Sequence, residues 1–178
     1  MASTCRGKEG PYAATGPVGG VNRLIRSLQE AGIKPNSNVY AELGGTWQNV
    51  MTKPTQAAHV IGKLLKYVGD KRVVWGTDSI WFGSPQAQIQ AFRAFTIPKA
   101  LQTKHGYPAM TKAIRAGIFG LNAAPLYGVD PAATRCTLRG DWVDKLKKTA
   151  HLQPRMPNIV GPTTRRQFVE HWRRKLVG

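Results

Sequence analysis

Val21, Leu24, Ile25 and Leu28 fall at i, i+3, i+4 and i+7, the spacing of one apolar helical face. Gly32 suits the end of that helix, and Pro35 lies just beyond. Asn38-Val39-Tyr40-Ala41-Glu42-Leu43 then reads as a strand closed by Gly44-Gly45, with a loop carrying Thr46, Trp47 and Gln48 after it. A second helix is expected from about Pro54 to Val68, with Val60, Ile61, Leu64, Leu65 and Val68 facing inward. Gly69-Asp70 turns the chain into Val73-Val74-Trp75, whose β-branched and aromatic side chains suit a packed strand. Gly76 ends this run, and Asp78 sits just past its carboxyl end. Ser84-Pro85 reads as an N-cap followed by proline at the first helical position, opening a third helix to Phe95 that buries Ile89, Phe92 and Phe95. Thr96 to Pro108 reads as a polar loop. Thr111 then caps a fourth helix on which Met110, Ala113, Ile114, Gly117, Ile118 and Leu121 keep helical spacing. Strands separated by helices predict an α/β fold with parallel pairing.

The flanks differ from this middle. Residues 1–20 are rich in Gly, Ala, Ser, Thr and Pro and read as a poorly ordered leader, with the folded part at 21–134. Residues 135–178 hold 11 Lys and Arg against 3 acids and read as a basic tail. Trp142, Val143, Leu146 and Ala150 predict one short amphipathic helix there. Pro154, Pro157 and Pro162 interrupt it, and a basic helix from Thr164 to Val177 ends the chain. The whole chain carries a net charge of +17. Such a balance points to an acidic partner such as RNA, DNA or an anionic surface. The basic residues are spread out and form no known nucleic-acid motif, so a solvated basic face is the simpler reading. Cys5 and Cys136 stand far apart without metal-type spacing, as expected of reduced thiols. No run of 18 apolar residues and no signal-peptide core is present, so a cytoplasmic protein with no membrane span is expected.

Asp78 is the candidate for chemistry. In parallel α/β proteins the carboxyl ends of strands carry the reactive groups. An acid after a buried strand is seldom there for packing, because burying a charge without partners is expensive. The plainer alternatives are a cap on the following helix or an ion pair with Arg93. Glu42 alternates with Ala41 and Leu43 and is placed to point toward the same end. A rim ion pair would explain it equally well. Trp47 and Trp81 follow the two strands and, with Ser79, are candidates to line a small-molecule substrate, although packing between loops would account for the tryptophans.

Taken in order, Asn38–Gly44, Val73–Trp81, Gly83–Gln86, Gln90–Arg93 and Ile118-Phe119-Gly120-Leu121-Asn122-Ala123-Ala124-Pro125-Leu126-Tyr127-Gly128-Val129-Asp130 resemble the C-terminal part of amidohydrolase-related proteins over roughly residues 21–134. The resemblance implies the last two β/α units of a (β/α)8 TIM barrel, the Val39 strand as the seventh and the Val73 strand as the eighth. It also implies a divalent metal, often zinc, at the strand ends and hydrolysis through a metal-activated water; some related members are non-oxidative decarboxylases. Asp78 matches the family's acid after strand eight, whose implied roles are metal ligand and proton shuttle. The rest of that ligand set is histidine, and here it is missing. The chain has no His-x-His pair. His59 falls in a predicted helix, His105 in the polar loop, and His151 and His171 in the tail. A complete barrel takes about 250 residues. The chain alone is therefore expected to be inactive; a competing reading is a truncated product that folds only with a partner chain completing the barrel. Pro125 also falls where the family's closing helix continues and is expected to end it early.

Overall fold

In the computed structural model, residues 9–15, 19–133 and 142–149 are described. Helix α1 spans Gly20–Glu30, and strand β1 spans Ala41–Glu42. Helices α2 (Gly44–Val50) and α3 (Pro54–Tyr67) lead to strand β2 (Val73–Val74). A single turn α4 (Ser79–Phe82) precedes α5 (Gln86–Ala94), α6 (Lys99–His105) and α7 (Lys112–Ala116). Helix α8 covers Trp142–Thr149. The predicted final helix, both cysteines, His151 and His171 lie outside the described residues.

The two strands pair in parallel, Ala41 with Val73 and Glu42 with Val74. Ala41 N donates to Arg72 O at 2.8 Å and Leu43 N to Val74 O at 3.1 Å. The paired stretch is shorter than either predicted strand. Past Leu43 the chain coils at once into α2, so the ladder has no further residue to pair.

Helix α3 is the centre of the core. Ala58, Val60 and Ile61 are fully buried, and α1 packs on it through Val21, Ile25 and Leu28. Lys63 is buried on the same helix. Its ammonium donates to Glu9 Oε2 at 2.8 Å and to Asn22 Oδ1 at 2.7 Å. Burial pulls its pKa down, and the Glu9 carboxylate opposes that. A buried cation needs a partner, and this one ties the described part of the leader to the helices. Tyr12 adds a second anchor, its hydroxyl donating to Gln29 Oε1 at 2.6 Å and its ring 5.4 Å from Tyr67. The expected loose leader is thus fastened at residues 9–15.

Two predicted loops are helical. Leu43, Trp47 and Val50 lie at i, i+4 and i+7 and are all buried, which is why the segment after β1 forms α2. Residues 99–105 form α6, although Leu101 and Ala100 are its only apolar positions and no periodicity announces it. Thr111 caps α7 as expected, its hydroxyl accepting from Ile114 N at 3.1 Å. Leu121, however, is exposed. A wide π-type turn at Gly117–Leu121 shifts the register, and Pro125 follows in a 3-10 turn, Ala124–Tyr127. The shift turns Asn122 inward. Its amide donates to Asp70 O and Val73 O, both at 2.8 Å, and so covers the free edge of β2.

An aromatic cluster fixes the carboxyl ends of the strands against α5. Phe92 is fully buried, with its ring 4.9 Å from Trp47, 5.0 Å from Trp75 and 5.3 Å from Phe119. Ile89, expected to be buried beside it, is only half-buried, and Gln88 takes the inward position. Replacing Phe92 with alanine should cost about 3–5 kcal/mol, as for other large buried aromatics. Chemical denaturation of the Phe92→Ala variant measures it; a loss below 1 kcal/mol would contradict this packing.

Candidate functional site

Strands β1 and β2 end side by side, and each delivers one carboxylate. From β1 comes Glu42. Its Oε1 accepts from Gly44 N at 2.8 Å. From the segment after β2 comes Asp78. Its Oδ2 accepts from Gly45 N at 2.7 Å. Gly44 and Gly45 are the first two residues of α2, whose first-turn N–H groups have no partner inside the helix. The two acids supply those partners.

The backbone leaves room for them. A Cβ on Gly44 would lie 2.6 Å from Glu42 Oε2 and 3.0 and 3.1 Å from the two Asp78 oxygens. A Cβ on Gly76 would fall on Glu42 Oε1 itself. Any larger residue at either position would displace a carboxylate. Asp78 adopts φ 48°, ψ 33°, a left-handed conformation costly for most side chains and tolerated best by Asn and Asp. It stands at the N-cap position of α4 yet makes no cap bond with that helix. Nor does it form an ion pair with Arg93 among the described residues. Its carboxylate is turned across to α2 instead.

Glu42 is exposed as a residue, but its carboxyl end rests against the glycines. Partial burial raises its pKa above the ordinary 4.5, the Gly44 bond opposes this, and the Asp78 charge adds to the rise.

Gln88 was not singled out by sequence reasoning, and it belongs to this region. Its side chain is buried. Nε2 donates to Thr77 O at 2.8 Å, next to Asp78, and its own carbonyl accepts from Trp47 Nε1 at 3.1 Å. Its Oε1 is buried without a hydrogen-bond partner. Gln88 therefore holds the Asp78 segment to α5. Only its place one turn before Phe92 could have drawn attention to it.

The other candidates separate. Trp47 is 1% exposed, clamped between Phe92 and Phe95, so it is core and lines no opening. Ser79 opens α4, its N–H donating to Thr77 Oγ1 at 3.3 Å. Trp81 on the same turn, three residues after Asp78, is 76% exposed. The two described histidines are elsewhere. His59 Nδ1 lies 3.1 Å from the Tyr107 hydroxyl, and His105, which ends α6 rather than lying in a loop, is 5.2 Å from His59 ring to ring. Burial first, then the charges of His105 and Lys63, push His59 below 6.5. Burial also pushes Tyr107 up to about 12.

A family model described as amidohydrolase matches residues 19–129. The chain belongs to the amidohydrolase family. No curated protein and no solved structure matches it. The family's metal can now be tested against the donors present. Among the described residues no group of three or more His, Cys, Asp or Glu is arranged to hold a metal ion. A catalytic zinc takes three protein ligands, so the described part of this amidohydrolase does not fit one by itself. No helix among the described residues is long and apolar enough to cross a membrane.

The raised pKa of Glu42 carries a sign. A carboxyl whose folded pKa lies above the unfolded one favours the fold while protonated, and that contribution is lost as the pH rises through the raised value. Glu42→Gln should therefore be slightly more stable than the native chain at pH 7, with the gain vanishing near pH 4. Thermal melts at the two pH values check this; a Glu42→Gln variant less stable at pH 7 would contradict it.

Proposed function

We propose that this amidohydrolase chain is the acid-bearing C-terminal part of a (β/α)8 hydrolase, in which Asp78 is the reactive carboxylate at the barrel mouth. One observation carries the reading. Asp78 is held at the carboxyl end of a parallel strand by a backbone N–H from the neighbouring unit, in a strained conformation that serves neither its own helix nor an ion pair. Strained, oriented acids of this kind cluster at functional sites. Its role is to take and return a proton during attack of water on a small-molecule substrate. Glu42 faces the same space, and Ser79 and Trp81 follow Asp78 in sequence.

The metal, zinc in this reading, is not held by the described residues, and no step is assigned to it here. The histidines it needs come from outside them, on a segment or partner polypeptide that completes the barrel. Two parallel strands of two residues each support that view, since parallel sheets are stable when larger and covered on both faces. The exposed Leu121, Leu126, Tyr127 and Val129 follow the helix that covers the edge of β2 and are available to such a partner. Cytoplasmic location belongs to the same proposal.

The net charge of +17 favours a second reading, a basic module that binds nucleic acid and reuses the family's scaffold. The two readings separate in one preparation. The purified chain is expected to carry sub-stoichiometric zinc and to show no ester or amide hydrolysis. Co-expressed with a segment supplying a strand with His-x-His, it should retain zinc and turn over, and Asp78→Asn should lower that rate at least about 100-fold. Turnover indifferent to Asp78→Asn would overturn the proposal. Salt-dependent RNA retention with no hydrolysis in either preparation would favour the second reading.

A further inference from the structure

The acid pair poses a question that the hydrolase reading leaves open: what keeps Asp78 in its strained place. Its one described side-chain bond is to Gly45 N, so its position is only as firm as the Gly44–Gly45 backbone. That backbone is itself held by Glu42, whose Oε1 accepts from Gly44 N. The room for this bond is made by Gly76, in the segment between β2 and Asp78, where a methyl group would occupy the Glu42 carboxylate position. Each strand end thus holds the other. Glu42 from β1 reaches over Gly76, two residues past β2, and Asp78, further along the same segment, reaches the α2 turn that follows β1.

We infer that Glu42 is a positioning residue for Asp78, acting through the Gly44–Gly45 turn and through the space that Gly76 leaves open. This rests on the reading of Asp78 as the site's reactive acid. The arrangement places two carboxylates about one small space, which like-charge repulsion opposes. A fold free to relax would turn the exposed Glu42 side chain into solvent. The two glycines and the two N–H donors keep it turned inward. The position of the acceptor oxygen, rather than the negative charge, is what the Gly44 N–H requires. A glutamine retains that oxygen.

Amide hydrogen exchange of the full chain, followed by NMR, tests this without metal or turnover. The Gly45 N–H should be protected and shifted downfield by its carboxylate acceptor, and Asp78→Ala should remove both effects. Glu42→Ala should speed Gly45 exchange about tenfold, the scale of one lost hydrogen bond, and shift its resonance upfield. Gly76→Ala should do the same while leaving both acids in the sequence. Glu42→Gln should restore exchange to within about twofold of the native chain. Amides of the α3 core, such as Val60 and Ile61, should be unchanged throughout, which separates positioning from general loosening. The inference is overturned if Glu42→Ala leaves Gly45 unaltered, or if Glu42→Gln behaves like Glu42→Ala. Should Gly76→Ala fail to fold, the two Glu42 variants decide. A positive exchange result beside a failed reconstitution would keep the positioning role and dismiss the hydrolase reading.

Discussion

The hydrogen bond from Gly45 N to Asp78 Oδ2, 2.7 Å long, is the constraint on which the site depends. It joins the start of α2, which follows β1, to the segment that follows β2. Without it the α2 N–H would lack a partner, and Asp78 would have no reason to hold a left-handed backbone. The bond is short and accepted by a carboxylate, which places it among the stronger kinds. Around it the molecule is arranged as support. Phe92 and Trp47 pin α2 to α5, Gln88 ties α5 to Thr77, and Asn122 covers the open edge of β2.

Where the chain repeats a pattern, the fold was legible in it. Helix α3 was plain because Val60, Ile61, Leu64, Leu65 and Val68 recur at helical spacing along and just past it. The second strand was found by its β-branched and aromatic run and the first by the Asn38–Leu43 stretch closed by two glycines, and their parallel pairing follows from the helices between them. Helix α2 was missed because Gly44-Gly45 looks like a terminator. The glycines are there to leave space for carboxylates and to start a helix, so a local breaker signal gave way to a tertiary demand. Helix α6 was missed for the opposite reason, since it buries little. The leader looked disordered by composition, yet a single acid, Glu9, answers a lysine buried 54 residues away. No local pattern reports such a pair.

The site was legible at its centre only. Asp78 stood out as an acid after a buried strand, and the family match supports a hydrolase-like function for the chain without assigning a role to this residue. Glu42 was visible as an alternation, but its tie to Gly44 depends on two glycines far apart in sequence, Gly44 at the start of α2 and Gly76 past β2. Gln88 was invisible, because a buried amide on a helix face looks like a surface residue in sequence. Trp47 misled, since an aromatic after a strand suits a pocket wall and a core plug equally well. The two described histidines, His59 and His105, pack with Tyr107, away from the acids.

The central claim is that the Asp78 side chain is bonded to the neighbouring unit's backbone. A long-range HNCO experiment on the 13C,15N-labelled chain reads that bond through its scalar coupling. The account predicts a cross-peak between the Gly45 amide nitrogen and the Asp78 carboxyl carbon. Its absence from a folded sample, with Asp78 instead coupled to Arg93 or to an α4 amide, would contradict the account.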